Sequence, residues 1–358
     1  MTAPVILRDS RRPGPEGSAG MAGPSSHGRT GLLGVTVALL FLAASIALPQ
    51  AAPDDRLAFD RIYTHLAGRR FAEAKDEWNR LAPRLQEALR AASGPAPTGE
   101  EARRRVAEAL FVQGLLTARL GQREEALRFL RQADGYGFPP LDSPLMALAG
   151  DCLFELGEHA LAAQAYQEVV RRAPDNAPAR LGLGASLYST GKLLAAEKEL
   201  EEVLRRAPDS APAHFYLGAV LIDERRTDEA RARLERALAL DPACSGCMAK
   251  LAHVAYLDGD DKLCESWLAR TAALDPDSVE AALVAGMLAS RSGRYDEAIR
   301  HLARVVERAP SYAKAQYQLA LAYRRSGNAE KAKEHTDIYS RLVQEEKARN
   351  LGVRGSKE

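Results

Sequence analysis

From residue 51 onward, small and apolar residues recur at three- and four-residue spacing with charged residues between them, the signature of amphipathic helices rather than strands. A longer period lies over that pattern. Pro174, Pro208, Pro242, Pro276 and Pro310 stand 34 residues apart, each at the end of a helical stretch. Gly150, Gly184, Gly218, Ala252, Gly286 and Ala320 keep the same interval, as do Ala162, Ala196, Ala230, Cys264, Ala298 and Ala332. Between these two columns fall Gly121, Gly157, Gly191, Gly259, Gly293 and Gly327, where glycine tolerates the left-handed conformation that ends a helix. A unit of this length predicts two helices of about a dozen residues and two short turns. The small columns let the paired backbones approach, and Leu183, Leu200, Leu217, Leu234, Leu268 and Leu302 fill the space around them. One pair cannot bury this surface alone, so neighbouring units must stack.

The period divides the chain. It extends upstream to Gly114, Gly121 and Ala126, with a two-residue insertion near Gly135-Tyr136-Gly137. Seven units then start near residues 107, 143, 177, 211, 245, 279 and 313 and occupy 107–346. Residues 51–106 predict a helical region with a degenerate repeat, broken at Gly68-Arg69-Arg70 and carrying Trp78 and Leu81. After a linker at 93–99, Thr98 and Glu101 fit a capping box for the next helix. No proline follows Leu342, so the last helix is expected to run on to about Arg349 as a polar cap. Residues 347–358 form its end and a tail. Residues 1–30, rich in Pro, Gly, Ser and Arg, predict a disordered leader.

Residues 31–50 are of another kind. Gly31–Leu48 carries no charge and as a helix would measure roughly 27 Å, enough for a short membrane span and long for a signal peptide's core. Small residues at Ser45 and Ala47 suit cleavage, and Met21 would give a signal peptide of ordinary length from an alternative start to Met1. The long leader suits a retained anchor, so both readings stand. Arg8, Arg11, Arg12 and Arg29 precede the run while Asp54 and Asp55 follow it, which directs everything beyond residue 50 to the non-cytoplasmic side. That means membrane-anchored or secreted, and periplasmic in a Gram-negative bacterium.

The repeated unit resembles the tetratricopeptide repeat. Gly150, Leu153, Gly157, Ala162, Tyr166 and Pro174 match its pattern closely, and Gly293-Arg294-Tyr295-Asp296-Glu297-Ala298 is near its commonest wording. Departures are Arg225 at a turn-glycine position and Cys264 in an alanine column. The resemblance covers residues 107–346 and implies an all-α fold, a right-handed α-solenoid of stacked helix-turn-helix repeats. It also implies binding of protein or peptide partners on the concave side without chemistry or cofactor. The family's clamp for C-terminal carboxylates pairs Lys and Asn one turn apart on that side, and no unit here has the pair.

Composition agrees with helices: 46% hydrophobic, 27% charged and 6% aromatic residues. Lys and Arg number 49 against 48 Asp and Glu and are interleaved with them, which argues against nucleic acid as a partner. Cys244-Ser245-Gly246-Cys247 is the sharpest local motif. As a redox dithiol it lacks a βαβ context, haem attachment fails at Met248, and a zinc site with Cys264 and His253 would join different faces. Structural roles fit best, with Cys244 and Cys247 either free or oxidised together. The alternative is a redox- or metal-linked accessory protein built on that pair. Gly182-Leu183-Gly184 has no preceding strand, and Asp258-Gly259-Asp260-Asp261 fits a turn and cap better than a calcium loop. With no nucleophile elbow, zinc motif or paired carboxylates, neither an enzyme, a metal site nor a small-molecule substrate is indicated.

Each first helix carries a second apolar stripe at i, i+4, i+7 that faces away from its partner. It comprises Phe111 and Leu115, then Phe154 with Asp151 and Glu155, then Leu181 and Tyr188. Phe215, Ile222 and Asp223 follow, then His253 and Tyr256. Leu283, Met287 and Arg291 come next, and finally Tyr317 and Leu321 with Arg324 and Arg325. Such a stripe must be buried by neighbours or offered to a ligand. The expected function is a non-catalytic scaffold or adaptor that binds partner segments here, exported or held at a membrane through residues 31–48, in envelope assembly or export.

Overall fold

The computed structural model describes residues 53–68, 70–91, 99–136 and 143–355. Among them are sixteen helices and no strand. The apolar run Gly31–Leu48 lies outside these residues, and no helix within them is long and apolar enough to cross a membrane.

The helices fall into two compact units. In the first, α1 (Pro53–Ala67) pairs with α2 (Phe71–Ala91), and α3 (Glu100–Arg119) with α4 (Arg123–Gly135). Ile62, Leu66, Trp78 and Leu81 are buried in the α1–α2 pair. Gly114 lies beneath Leu130, whose Cγ would stand 2.7 Å from an added Cβ. Gly99 is the N-cap of α3 and no side chain among the described residues caps it; Glu101 falls within the first two residues of the helix, and the expected capping box would also need Thr98. Thr98 lies outside the described residues.

The second unit runs from α5 (Ser143–Glu155) and α6 (His159–Arg172) through α7 (Ala177–Ser189), α8 (Leu193–Arg206), α9 (Ala211–Asp223) and α10 (Thr227–Leu240). It continues with α11 (Ser245–Asp258), α12 (Asp261–Leu274), α13 (Val279–Arg291), α14 (Tyr295–Arg308), α15 (Ala313–Arg325) and α16 (Ala329–Gly355). Each odd helix packs on the even helix that follows it and on the odd helix of the next pair. The last helix runs past Arg349 to Gly355.

Each sequence column has a mechanical task. The prolines follow the C-cap residues Ala173, Ala207, Asp241, Asp275 and Ala309, so the second helix stops where the pre-proline residue is pushed out of helical conformation. Two residues on, the side chains of Asn176, Ser210, Cys244 and Ser278 accept a hydrogen bond from the third backbone N–H of the next first helix. Gly184, Gly218 and Gly286 lie under Leu200, Leu234 and Leu302, whose Cγ atoms would stand 2.8, 2.7 and 2.5 Å from an added Cβ. Tyr166 fills the equivalent space between Gly150 and Gly182, and its Oη donates to Asp151 at 2.6 Å. Along the outer turns, Arg206, Arg236 and Arg308 reach back to Asp175, Asp209 and Asp277 of the preceding unit.

Candidate functional site

The stripe residues divide by accessibility. Phe111 and Leu115, in the first compact unit, are fully buried. In the second unit Leu181, Ile222, His253, Leu283 and Met287 are also buried, so they hold neighbouring first helices together. Phe154, Tyr188, Phe215, Tyr256 and Leu321 stay partly open, and Glu155, Asp223, Arg291, Tyr317, Arg324 and Arg325 are exposed. Tyr317, at 44% exposure, is the most open of the aromatic stripe residues. Tyr188 meets Tyr216 edge-on with ring centres 6.4 Å apart, and Phe215 meets the same ring at 5.2 Å.

Several charged stripe residues are already engaged. Asp151 holds the Tyr166 hydroxyl. Arg291 donates to the Tyr256 carbonyl and to Asp261, and its guanidinium lies 4.1 Å from the centre of the Tyr256 ring. Arg325 turns to Ser290, 3.4 Å from its Oγ.

Between these aromatic positions the first helices bring together a polar cluster that the stripe only brushes. Lys250 Nζ donates to Glu280 Oε1 at 2.9 Å, and His253 Nδ1 stands 3.5 Å from the same oxygen. Tyr312 Oη lies 3.5 Å from the other Glu280 oxygen, and Lys314 Nζ lies 3.5 Å from His253 Nε2. Lys314 on α15 thus touches α11 across the intervening α13. Such a contact requires the inner side of a curved stack, and it identifies the first helices as lining that side.

Burial governs the electrostatics. Desolvation pushes the Glu280 carboxyl up, but the Lys250 ammonium and the His253 ring outweigh it, and the net direction is down. Lys250 is lowered by burial and raised more strongly by Glu280, for a net rise. His253 and Lys314 both go down, in each case chiefly through desolvation. A neutral His253 with its proton on Nδ1 suits both neighbours, since Nε2 can then accept from the Lys314 ammonium. Tyr188 and Tyr312 are raised, first by burial.

Of these cluster residues the stripe reading named only His253, Tyr188 and the nearby Asp223. Glu280 and Lys314 sit one helical turn before Leu283 and Tyr317, at i−3, so extending the stripe by one turn would have found them. Lys250 likewise stands three residues before His253, whereas Tyr312 is the N-cap residue of α15 and falls outside the helical register.

The cysteines hold structural positions. Cys244 and Cys247 are joined in a disulfide and are buried against Ala237, Phe215 and Leu238, an enclosure that shields them from exchange with other thiols. Cys152 and Cys264 take no part in a disulfide and are buried, and burial pushes the Cys264 thiol up to about 11, well away from a reactive thiolate. Among the described residues no cluster of three or more His, Cys, Asp or Glu side chains is placed to hold a metal.

Sequence profiles of the tetratricopeptide repeat match residues 153–219, 221–291 and 289–351, and a second such profile matches residues 118–177. No curated protein matches the chain. Among solved structures, a tetratricopeptide repeat protein from Parabacteroides merdae is similar at 13% identity and a TM-score of 0.53, over 76% of this chain and 99% of its own. IFIT1, determined with m7Gppp-AAAA, is similar at 18% identity and a TM-score of 0.52, over 84% of this chain and 70% of its own. A thermophilic repeat protein from Thermus thermophilus is 20% identical over 50% of this chain and 98% of its own, with a TM-score of 0.45. The profile matches cover more than half of the 358 residues, and the chain belongs to the tetratricopeptide repeat family.

Proposed function

We propose that this protein is a scaffold that binds an extended or helical segment of a partner protein on the face of its first helices. The observation that carries the reading is the row of aromatic side chains that are partly open at Phe154, Tyr188, Phe215 and Tyr256 and exposed at Tyr317. A packing role alone would have closed them, as it closes Leu181, Leu283 and Met287. Large aromatic groups left open beside desolvated polar partners are the usual anchors of protein recognition. Family membership supports a binding role over catalysis. The scaffold acts on the non-cytoplasmic side of a membrane, in envelope assembly or export. Gly31–Leu48 with the arginines before it supports that placement, as does a disulfide at Cys244–Cys247, since such bonds persist in oxidising compartments.

Two experiments test this. Partners crosslinked to the full chain should be lost when Phe215 and Tyr256 are both changed to Ala, with helicity retained by circular dichroism. Capture of the same partners at the same strength would place the ligand elsewhere. A reporter active only outside the cytoplasm, fused after residue 60, should be active, and activity of a cytoplasmic reporter instead would overturn the orientation.

A further inference from the structure

The basic residues of the first helices in the second unit are few, and those outside α15 are matched. Arg180 pairs with Glu199, Lys250 with Glu280 and Arg291 with Asp261. The three cations of α15 depart from this rule. Arg325 meets only Ser290, Lys314 meets only the His253 ring, and Arg324 has no side-chain partner, so among the described residues none of the three has a carboxylate within ion-pairing distance. Lys314 is partly buried, and a desolvated ammonium without a counter-charge is costly unless something else supplies one. Its surroundings do so only in part, since the Glu280 and Asp223 carboxylates act on it from beyond ion-pairing distance. Lys250 and Tyr312 already occupy the two oxygens of Glu280, and the nearby Arg225 adds further positive charge.

Lys314, Tyr317, Leu321 and Arg324 follow one another at i, i+3, i+7 and i+10, along one side of α15. We propose that this side of α15 receives an acidic protein segment, with one partner carboxylate on Lys314, a second on Arg324 and apolar partner side chains on Tyr317 and Leu321 between them. The inference rests on the scaffold reading and adds to it the chemistry of the partner and its spacing. Ten residues of helix rise about 15 Å, which an extended chain spans in about four to five residues. The partner therefore carries two Asp or Glu residues at that separation around an apolar core. A phosphate backbone is the weaker occupant, because the chain's charge is balanced overall and the cations of the other first helices in this unit are already paired.

The test uses the full chain and fluorescent decapeptides. One has glutamates five positions apart with leucines between, a second has glutamine at both places, a third has the glutamates adjacent, and an oligouridylate of ten nucleotides serves as the nucleic-acid arm. The spaced acidic peptide should bind about tenfold or more tighter than the other two peptides, as expected for charge-assisted hydrogen bonds. Lys314→Met should erase that advantage, Lys314→Arg should keep most of it, and Arg324→Gln should remove the preference for spacing. Equal binding of the spaced acidic and glutamine peptides, or an advantage that survives Lys314→Met in folded protein, overturns the proposal. If that equal binding is lost on changing Phe215 and Tyr256 to Ala, the scaffold reading stands while the acidic site falls. Binding of the oligouridylate in preference to every peptide overturns both.

Discussion

The Lys250 ammonium and the Glu280 carboxylate, on first helices of adjacent units, stand 2.9 Å apart with side chains only 16% and 20% exposed. Removing one partner of a pair so placed leaves the other charge desolvated, which costs more than the intact pair contributes. Glu280→Gln is therefore expected to destabilise the protein by about 2–4 kcal/mol, below the fully buried limit because some water still reaches both groups. Lys250→Met combined with Glu280→Leu should recover most of that loss. Denaturant unfolding of the two variants and the parent measures it, and a double variant no better than Glu280→Gln would show that the pair's charge is not what matters. The pH dependence follows from the same geometry. Glu280 is held below its ordinary value, so its contribution is present above the unfolded carboxylate value of about 4.3 and is lost as acid protonates it below that.

His253 adds a second pH dependence. Burial holds its pKa below the ordinary imidazole value, against the opposing pull of Glu280 and with help from Lys314 and Lys250. The folded state thus keeps the ring neutral while the unfolded chain takes up a proton near pH 6.5, and stability falls as pH drops through and below that value. His214, His301 and His335 are depressed in the same direction, so the informative quantity is a difference between variants. His253→Gln should flatten the stability profile between pH 7 and 5 by up to about 1.4 kcal/mol per pH unit relative to the parent. Parallel profiles would mean that His253 protonates without penalty.

These two cases show where the sequence was legible. The helix pairs could be read because their determinants are local and periodic. A proline, a glycine turn, a capping side chain and a small residue under a leucine recur at one interval, and each acts within its own unit. The cluster around Glu280 has no such period. Lys314 meets His253 from 61 residues away, and it does so only because the stack curves enough for α15 to reach past α13. The same curvature decides which stripe residues close. Leu283 and Tyr317 share one register, yet Leu283 is buried and Tyr317 is open, because α15 covers the former and no first helix beyond α15 lies among the described residues to cover the latter.

The glycine-under-leucine contact can be tested directly. An added Cβ at Gly218 would stand 2.7 Å from Leu234 Cγ and 2.9 Å from its Cδ2, closer than carbon atoms tolerate. Gly218→Leu should cost about 1–3 kcal/mol through overpacking. Trimming the opposing side chain with Leu234→Ala in the same chain should make the pair less damaging than the sum of the two single changes. Additive losses in thermal or denaturant unfolding would mean that the two positions do not touch.

Arg225 is the non-glycine residue with positive φ among those described, at 64°. It occupies the turn position that Gly157, Gly191, Gly259 and Gly293 fill in other units, at φ between 73° and 80°. The backbone bonds are those of the glycine turns: Arg225 N–H donates to the Ile222 carbonyl and Arg226 N–H to Leu221, as Gly191 does to Tyr188 and Lys192 to Leu187. The turn is therefore made in full, and what differs is the left-handed strain of a residue with a Cβ, about 1–2 kcal/mol. Glycine would relieve that strain but lose roughly 0.5–1 kcal/mol to the greater freedom of the unfolded chain. The net expectation is that Arg225→Gly stabilises the protein by about 0.5–1 kcal/mol. Arg225→Ala is the control, since it removes the same guanidinium but keeps the Cβ in the same strained conformation. Glycine should exceed alanine in unfolding free energy at low and high salt alike. If the two variants match, the gain came from removing a positive charge near Lys314, and the turn is not strained.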